Sequence, residues 1–300
     1  MEFKEKFVEK YASLTDIDRF LEFSLKSIRK SIRVNTLKTS VTDLKKRLKD
    51  YRLTQVPWCN EGFFVEGPRT DLGNLKEHQL GLFYVQEAAS MIPPLILNPK
   101  LGEIVLDACA APGSKTTQMA AMMKNQGVIV ANDIKPERIK ALSTNLQRCG
   151  VANTVITKSW AETINMKFDK ILLDAPCSGT GTIRKSLKTI KIWNPHMYKK
   201  LAGVQKRLIT HCFELLNEDG IMVYSTCSIS PEENEEVIDF LLDKYKNAKL
   251  QKIDIKIKRS KPIMTNNNKK FSSEIEKCLR IWPQDNDTSG FFVAKIKYSF

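Results

Sequence analysis

The chain has 300 residues, of which 42% are hydrophobic, and its 48 lysines and arginines outnumber 34 acidic residues to give a net charge of +14. This length allows one large domain, or a domain of about 200 residues beside a smaller one. No segment approaches the roughly 18 uninterrupted apolar residues of a membrane helix, and the charged N-terminus lacks the apolar core of a secretory signal. We therefore predict a cytoplasmic protein, whose positive charge favours a polyanionic partner such as nucleic acid.

Seven cysteines are spread along the chain, and no two of them stand at CxxC spacing. An odd number of widely spaced cysteines argues against a disulfide framework. The three histidines lie near no cysteine pair, so a structural zinc site is not expected. We predict free thiols, each either buried or reactive, and no bound metal.

Residues 1–75 are predicted to form a small α/β domain that grips nucleic acid, with a structural lid as the alternative role. Hydrophobic periodicity and short β-branched or aromatic runs indicate its elements. The helices cover 15–28 and 41–50, and the strands cover 32–36, 53–58 and 63–65. Gly67, Pro68 and Gly73 mark the end of this domain. An apolar helix over 78–97 is expected to connect it to the rest of the chain.

Residues 76–300 are predicted to form a larger α/β domain with a doubly wound, mostly parallel sheet. Apolar runs predict strands buried on both faces, over 103–108, 127–132, 154–159, 169–174 and 220–226. Amphipathic patterns predict helices over 115–124, 135–149, 200–216 and 231–245. Ser230 is expected to cap the last helix, with Glu233 closing a capping box. Residues 290–298 are predicted to form an edge strand, and residues 259–273 are predicted to form a flexible basic loop.

A stretch without acidic residues lies between Arg184 and Arg207, and it carries eight cationic residues. The same stretch contains Trp193, His196 and Tyr198. A solvated helical face usually mixes charges of both signs, whereas a positive stretch with aromatic residues suits phosphate contact and base stacking. We predict that it contacts nucleic acid; a lysine-rich surface without a partner is the alternative.

The first two strands of the predicted sheet end in residues that suit a nucleoside. A turn of small residues runs from Asp107 to Lys115, where backbone N–H groups and a helix N-terminus favour an anionic group. It matches neither GxGxxG nor a Walker loop. Asp133 follows the second strand, where an acid commonly holds ribose hydroxyls, although it also suits a helix cap. The residues at the ends of these two strands together predict a nucleoside-containing cofactor at the carboxyl ends of the strands.

Cysteines stand at the tips of the fourth and fifth predicted strands. Cys177 follows Asp174-Ala175-Pro176, and Cys227 follows Ser225-Thr226. A single cysteine is more often a small buried hydrophobe than a nucleophile, but two of them on the ligand-binding rim favour a reactive pair. The glycines after Cys177 indicate close approach by a substrate or by another backbone segment.

Seven segments resemble, in order, the successive motifs of the Nol/Nop/Sun family of RNA (cytosine-5) methyltransferases. They are RVNTLK (33–38), YVQEAASM (84–91), LDACAAPGSKT (106–116), ND (132–133), DAPCSGTG (174–181), YSTCSISPEENE (224–235) and TSGFFVA (288–294). The resemblance implies a Rossmann-like, S-adenosylmethionine-dependent enzyme that makes 5-methylcytosine in RNA, with 76–300 as its catalytic domain. The chain is most similar to the archaeal tRNA enzymes, so tRNA is the first expected substrate and rRNA the second. The RNA would be held by 1–75, 184–207 and 259–273.

The resemblance also implies roles for individual residues. Cys227 would be the nucleophile, and Cys177 would assist release of the product. Asp174 would line the site between the cofactor and the base, in contact with both. Lys115 would assist their orientation.

For the cofactor, the resemblance implies contacts from the first two strand tips. Asp133 would bind the ribose hydroxyls, with Arg138 nearby. The methionine part would lie on the loop formed by Cys109, Ala110, Ala111, Pro112, Gly113, Ser114 and Lys115. The family usually has an aspartate after the third strand that contacts the adenine, and this chain lacks it. Stacking by Trp160 and substitution by Glu162 are the two alternatives.

Three other classes share part of this pattern. An amino-group methyltransferase normally has an Asn/Asp-Pro-Pro-aromatic string at the fourth strand tip, where this chain has DAPC. A DNA cytosine methyltransferase has its nucleophile in a Pro-Cys motif there and lacks the cysteine of YSTCS. A catalytically silent RNA-binding assembly factor is disfavoured by the intact Lys115, Asp133, Cys177 and Cys227.

Overall fold

The computed structural model describes residues 3–299. Its first part is built from short helices and strands, which are α1 (Glu5–Ala12), α2 (Ile17–Leu25), β1 (Ser31–Val34), α3 (Val41–Arg47), β2 (Arg52–Gln55), β3 (Gly62–Glu66), α4 (Lys76–Gln79), β4 (Phe83–Val85) and α5 (Ile92–Leu97). The strands form an antiparallel sheet in the order β2-β3-β1-β4. Ile32, Phe63 and Phe83 of this sheet pack against Leu44 of α3. The predicted strands and helices of this part are confirmed; β1 and β3 are buried, whereas β2 at the edge of the sheet is largely exposed.

The predicted helix over 78–97 is wrong. Gly81 has φ +73°, and a Cβ at this position would lie 1.9 Å from the carbonyl oxygen of Arg148, so the chain turns sharply here. Residues 83–85 then pair with β1. Pro93-Pro94 lie in the first turn of α5, where no backbone donor is required, rather than at a helix end. The antiparallel sheet thus includes residues beyond 75, and the domain boundary at 75/76 stays a prediction.

The second part contains a large sheet whose strands are β5 (Ile104–Asp107), β6 (Val128–Asn132), β7 (Thr154–Thr157), β8 (Phe168–Asp174), β9 (Leu216–Thr226), β10 (Ala248–Gln251), β13 (Leu279–Ile281) and β14 (Phe291–Tyr298). Their order is β10-β14-β9-β8-β5-β6-β7, with β13 also paired to β14. Strands β5 to β9 run parallel to one another. This confirms the doubly wound, mostly parallel sheet, and it places the carboxyl ends of β5, β6, β8 and β9 along one edge.

Helices cover both faces of the large sheet. Besides α5, they are α6 (Ser114–Met122), α7 (Pro136–Cys149), α9 (Met197–Glu214) and α10 (Glu235–Lys244), whereas α8 (Lys188–Ile192) and α11 (Pro283–Asn286) pack with the N-terminal helices. Apolar residues of α9 and α10 pack on one face, and those of α5 and α6 pack on the other. Within residues 3–299, no helix combines the length and the hydropathy that crossing a bilayer requires.

Three expectations about the C-terminal part are wrong. Strand β14 is internal, because the short strand β10 pairs with its outer edge. Ser230 caps no helix with its side chain, and α10 begins at Glu235 after a single 3₁₀ turn. Within 259–273, the hairpin strands β11 (Thr265–Asn266) and β12 (Lys269–Lys270) replace the expected loop, and Phe271 is buried.

The aromatic residues of the basic stretch are structural. Trp193 and Tyr198 are buried with Phe7 and Tyr11 of α1. Arg184 is also buried, where it pairs with Asp287 and donates to backbone carbonyls. The prediction of base stacking by this stretch is therefore wrong for Trp193 and Tyr198, because the N-terminal helices cover them. Six of its cations are exposed: Lys185, Lys188, Lys191, Lys199, Lys200 and Arg207.

A buried ion pair connects the C-terminal strands to the loop after β9. Arg280 donates two hydrogen bonds to Glu235 and one, of 2.8 Å, to the carbonyl of Ile229. Both charged side chains are buried. We expect Arg280→Leu to lower the free energy of unfolding by about 3–5 kcal/mol, since it leaves the Glu235 carboxylate buried and unpaired. Urea unfolding measures this loss; Arg69→Leu, at an exposed pair with Asp71, is the control and should change stability little.

Candidate active site

A cavity of about 460 Å³ lies at the carboxyl edge of the parallel strands. It is lined by residues that follow β5, β6, β7, β8 and β9 and by one side of α9. Its size is typical of small-molecule sites. A larger depression, of about 640 Å³, lies at the opposite ends of the strands around Gly102 and Gly220, and no cysteine lines it. Because ligands bind at the carboxyl ends of such sheets, the smaller cavity is the candidate site.

Two thiols face each other in this cavity. The Sγ atoms of Cys177 and Cys227 lie 3.4 Å apart, and each side chain is partly exposed. The loops that carry them are joined by backbone, since the N–H of Gly181 donates to the carbonyl of Cys227 at 2.9 Å. A Cβ at Gly181 would lie 2.7 Å from that carbonyl oxygen and 2.3 Å from the oxygen of Gly290. Glycine at 181 therefore permits the close approach that brings the two sulfurs together.

The environment distinguishes the two thiols. The hydrogen bond from Cys177 lowers the pKa of Cys227, and the positive charges of Lys115 and Lys185 lower it further against burial and Asp174. The same hydrogen bond, together with burial, raises the pKa of Cys177 well above its ordinary value. The hydrogen bond between the two thiols therefore favours the proton on Cys177 and the negative charge on Cys227.

Lys115 and Asp174 form an ion pair beside Cys227. The ammonium nitrogen lies 2.6 Å from the carboxylate and donates to Ser90 at 3.1 Å. Ser225 donates to the other carboxylate oxygen at 2.7 Å. Although burial by itself lowers the pKa of Lys115, the neighbouring Asp174 raises it above the ordinary value, so the lysine stays charged. The pair places a fixed cation next to the thiolate.

The other half of the cavity fits a nucleoside. Asp133 is buried, and its carboxylate accepts from the N–H groups of Ala111 and Lys135 and pairs with Arg138 at 3.2 Å. A carboxylate offers about four acceptor positions, which leaves capacity for a ligand hydroxyl. Ile134 and Trp160 also line the cavity, and they offer apolar surface against which a base can lie. These residues fit the ribose and base of S-adenosylmethionine.

Nearly the whole chain matches two family models that follow one another in sequence. The model of 16S rRNA methyltransferase RsmB/F matches residues 94–297, and the model of the N-terminal domain of 16S rRNA methyltransferase RsmF matches residues 3–88. The chain belongs to the RsmB/F methyltransferase family. This membership confirms the Nol/Nop/Sun family and the Rossmann-like fold expected from the motifs, together with the class of enzyme, an RNA methyltransferase.

Two curated relatives are similar to this chain over nearly its whole length. The tRNA (cytosine(49)-C(5))-methyltransferase of Pyrococcus abyssi is 44% identical over 99% of both sequences. The ribosomal RNA small subunit methyltransferase F of Vibrio parahaemolyticus is 41% identical over 98% of this chain, which spans 63% of that protein's length. The RsmB/F chain is thus similar both to a tRNA enzyme and to part of an rRNA enzyme.

Solved structures share the RsmB/F architecture in both of its parts. A methyltransferase homologue from Pyrococcus horikoshii superimposes with a TM-score of 0.83 at 40% identity, covering 98% of this chain and 99% of its own. NSun6 from the same organism, solved with SFG, superimposes with a TM-score of 0.88 at 25% identity, covering 99% of both chains. The antiparallel sheet and the large sheet therefore occur together in these proteins.

The RsmB/F cavity brings together some of the residues expected from the motifs and leaves others behind it. Six of them line the cavity: Cys109, Asp133, Arg138, Asp174, Cys177 and Cys227. Lys115 lies behind it and reaches the site through Asp174. The remaining five do not line it: Ala110, Ala111, Pro112, Gly113 and Ser114. Ala110 and Ala111 instead pack against α7 and shape the loop.

Several residues that line the RsmB/F cavity were not expected. Val204 and Leu208 enter it from α9 at i, i+4 spacing, and Ile134 enters it after Asp133. The i, i+4 spacing is visible in the sequence but does not distinguish a cavity from ordinary core. Asn132 was identified only as part of a motif; its side chain connects β5 to the loop after β7 through bonds to Ala108 and Ser159.

Proposed function

We propose that this chain transfers the methyl group of S-adenosylmethionine to C5 of a cytosine in RNA, with Cys227 as the nucleophile. The observation that carries the proposal is the pair of thiols 3.4 Å apart at the edge of a cavity that fits a nucleoside. C5 of cytosine is a weak nucleophile, and addition of a thiolate to C6 gives C5 the character of an enamine carbon. The thiolate form that this step requires is the form stabilised at Cys227.

Cys177 would complete the reaction. After methyl transfer, the C5 proton must leave and the bond between C6 and the Cys227 sulfur must break. A group that gains and loses a proton beside Cys227 is required, acting directly or through water. Cys177 carries the proton before addition, mainly through its hydrogen bond with Cys227. Once Cys227 is bonded to C6, Cys177 would release its proton to water, and its thiolate would accept the C5 proton while the C6–S bond breaks and Cys227 leaves as the thiolate. Asp174 lies on the same side of the cavity, where it can accept from the exocyclic amine of cytosine and so disfavour uracil.

The methyl donor would be held by the residues at the first two strand tips. S-adenosylmethionine, when bound, supplies the electrophilic methyl group. The loop over 109–115 would hold its methionine part, Asp133 would bind the ribose hydroxyls, and Arg138 would keep Asp133 in place through their ion pair. The solved structure of the NSun6 relative with SFG, an analogue of the same donor, supports the use of this donor.

Transfer RNA is the favoured substrate. The tRNA relative aligns with 99% of both sequences, whereas this chain spans only 63% of the rRNA relative. Residues 1–75 would grip the RNA, supported by the exposed cations at the end of α3: Lys45, Lys46, Arg47 and Lys49. A base inside a folded stem would have to be flipped out to reach the cavity. Bisulfite sequencing of RNA from cells with and without the gene tests this. The proposal is contradicted if every tRNA cytosine that is protected in the parent strain is still protected in the strain without the gene.

Trp160 is proposed to cover the adenine of the donor in place of the absent aspartate. It lines the cavity and is 65% exposed, whereas the other tryptophans are buried. We expect S-adenosylhomocysteine to quench tryptophan emission, and Trp160→Ala to remove the quench and weaken binding by about tenfold through lost stacking. Fluorescence titration and calorimetry measure both effects.

The matched control for Trp160→Ala is Ile192→Ala, which removes an equally exposed apolar side chain that does not line the cavity. It should leave both the quench and the affinity unchanged. If Trp160→Ala instead binds S-adenosylhomocysteine normally but binds RNA weakly, Trp160 contacts the nucleic acid and the adenine is held by other residues.

A further inference from the structure

The loops that carry the two cysteines converge on one buried acid. The carboxylate of Glu233 is fully buried, and it accepts from the backbone N–H of Ser178 at 2.8 Å and from the side-chain amide of Gln205 at 3.1 Å. Its other oxygen accepts from the hydroxyls of Ser178 and Ser228. Ser178 directly follows Cys177, and Ser228 directly follows Cys227. A single side chain therefore joins the two reactive loops.

Among residues 3–299, no cation pairs with this carboxylate. Its hydrogen bonds come from Ser178 in the loop after β8, Ser228 in the loop after β9 and Gln205 in α9, and none of these is charged. The hydroxyl of Tyr224 in β9 also faces Glu233 and donates to its backbone carbonyl at 2.6 Å. The neighbouring Glu232 differs, because it pairs with Lys10 at the surface. A buried charge held only by neutral donors acts strongly on what lies beside it.

We propose that Glu233 is a positioning residue that decides which of the two cysteines keeps the proton. Its hydrogen bonds hold the loops so that the sulfurs meet. Its negative charge, next to Cys177, opposes ionisation there, while the positive charge of Lys115 lies on the side of Cys227. A negative charge therefore lies on the side of Cys177, and a positive charge lies on the side of Cys227. This inference rests on the proposed function, because it explains why the two thiols take different roles.

The electrostatics of the two thiols agree with this arrangement. The charge of Glu233 contributes to raising the pKa of Cys177, after the hydrogen bond to Cys227 and burial. At Cys227, the positive charges of Lys115 and Lys185 act in the opposite direction and lower the pKa. Without the charge at 233, Cys177 would ionise more easily and would then donate less often to Cys227.

Glu233→Gln separates the charge from the hydrogen bonds. The glutamine carbonyl can still accept from the Ser178 N–H and from Gln205, and its amide can donate to the two serine hydroxyls, which also act as acceptors. In a Cys227→Ser background, Cys177 is the remaining thiol of the pair. We expect Glu233→Gln to lower the midpoint pH of Cys177 alkylation by iodoacetamide by about one unit, a tenfold change in ionisation. Mass spectrometry of the Cys177 peptide gives the midpoint.

Two variants serve as controls. Glu232→Gln removes a neighbouring charge that does not face the cysteines, and it should leave the midpoint unchanged. Glu233→Asp keeps the charge and should retain the parent midpoint. An unchanged midpoint in Glu233→Gln, with normal melting and normal binding of S-adenosylhomocysteine, overturns the proposal, as does an equal shift in Glu232→Gln.

The wild-type chain provides a second test that does not depend on how Glu233→Gln folds. At neutral pH, limiting iodoacetamide should modify Cys227 at least about tenfold faster than Cys177, although both are partly exposed. Equal labelling of the two cysteines overturns the proposal. Alkylation is measured without RNA, so its failure is distinct from failure of the proposed function, which would show as absent methyl transfer by the wild type.

Discussion

We expect Cys227→Ala to abolish methyl transfer and to leave the folded protein and its donor cavity intact. The substitution removes the one thiol among residues 3–299 whose pKa its surroundings lower. The pKa of the other two thiols that line the cavity is raised, by burial at Cys109 and by the hydrogen bond with Cys227 and burial at Cys177. Loss of a covalent nucleophile lowers turnover by about 10⁴-fold or more. Incorporation of labelled methyl groups into tRNA measures the loss.

The side chain of Cys227 makes few contacts that stability depends on. It is partly exposed, and it forms a hydrogen bond with the sulfur of Cys177. Melting temperature and affinity for S-adenosylhomocysteine should therefore stay close to those of the wild type. Cys149→Ala is the matched control, because Cys149 is buried at the end of α7, outside the cavity. Methylation that persists in Cys227→Ala at the wild-type rate would assign the nucleophile elsewhere.

Cys177→Ala should have the second largest effect, with a different signature. If Cys177 moves the proton that lets the C6–S bond break, its removal stops the reaction after addition. We expect a covalent complex between Cys227 and the RNA to accumulate to a large fraction of the enzyme, whereas the wild type releases its product. A band of reduced mobility on a denaturing gel measures it.

The double variant Cys177→Ala/Cys227→Ala should not form this band, because the bond to RNA would come from Cys227. Cys177→Ala also removes the hydrogen bond that lowers the pKa of Cys227, so its rate of addition should fall at neutral pH and recover as pH rises. Release of normal amounts of methylated RNA by Cys177→Ala, without a retained complex, would remove Cys177 from the mechanism.

The order of strands and helices in the catalytic part could be predicted because each element carries its own pattern. Strands such as β8 are nearly continuous apolar runs, since both faces are covered by helices. Helices such as α7 alternate buried and exposed positions, begin with a proline and end at Gly150 with φ +71°. These signals are local, so the sequence carries them wherever the chain lies in space.

Errors arose where a contact distant in sequence outweighs the local pattern. The apolar pattern predicts that residues 83–85 belong to a helix, but their pairing with β1 makes them a strand. The lysines around Trp193 and Tyr198 predict that these rings stack on nucleic-acid bases. In the structure, α1, which is about 190 residues away in the chain, covers both rings. Ser230 and Glu233 read as a capping box, whereas Glu233 bonds to the cysteine loops.

The sequence by itself determined the family, the parallel sheet and the two cysteines, because motifs and hydrophobic periods are properties of neighbouring residues. Only the tertiary structure decided that the two sulfurs meet, that Lys115 acts from behind Asp174, that Trp160 lies over the cavity and that Glu233 joins the loops. Distances between residues far apart in the chain depend on how the strands order and pack, and the electrostatic environment of a thiol follows from those distances.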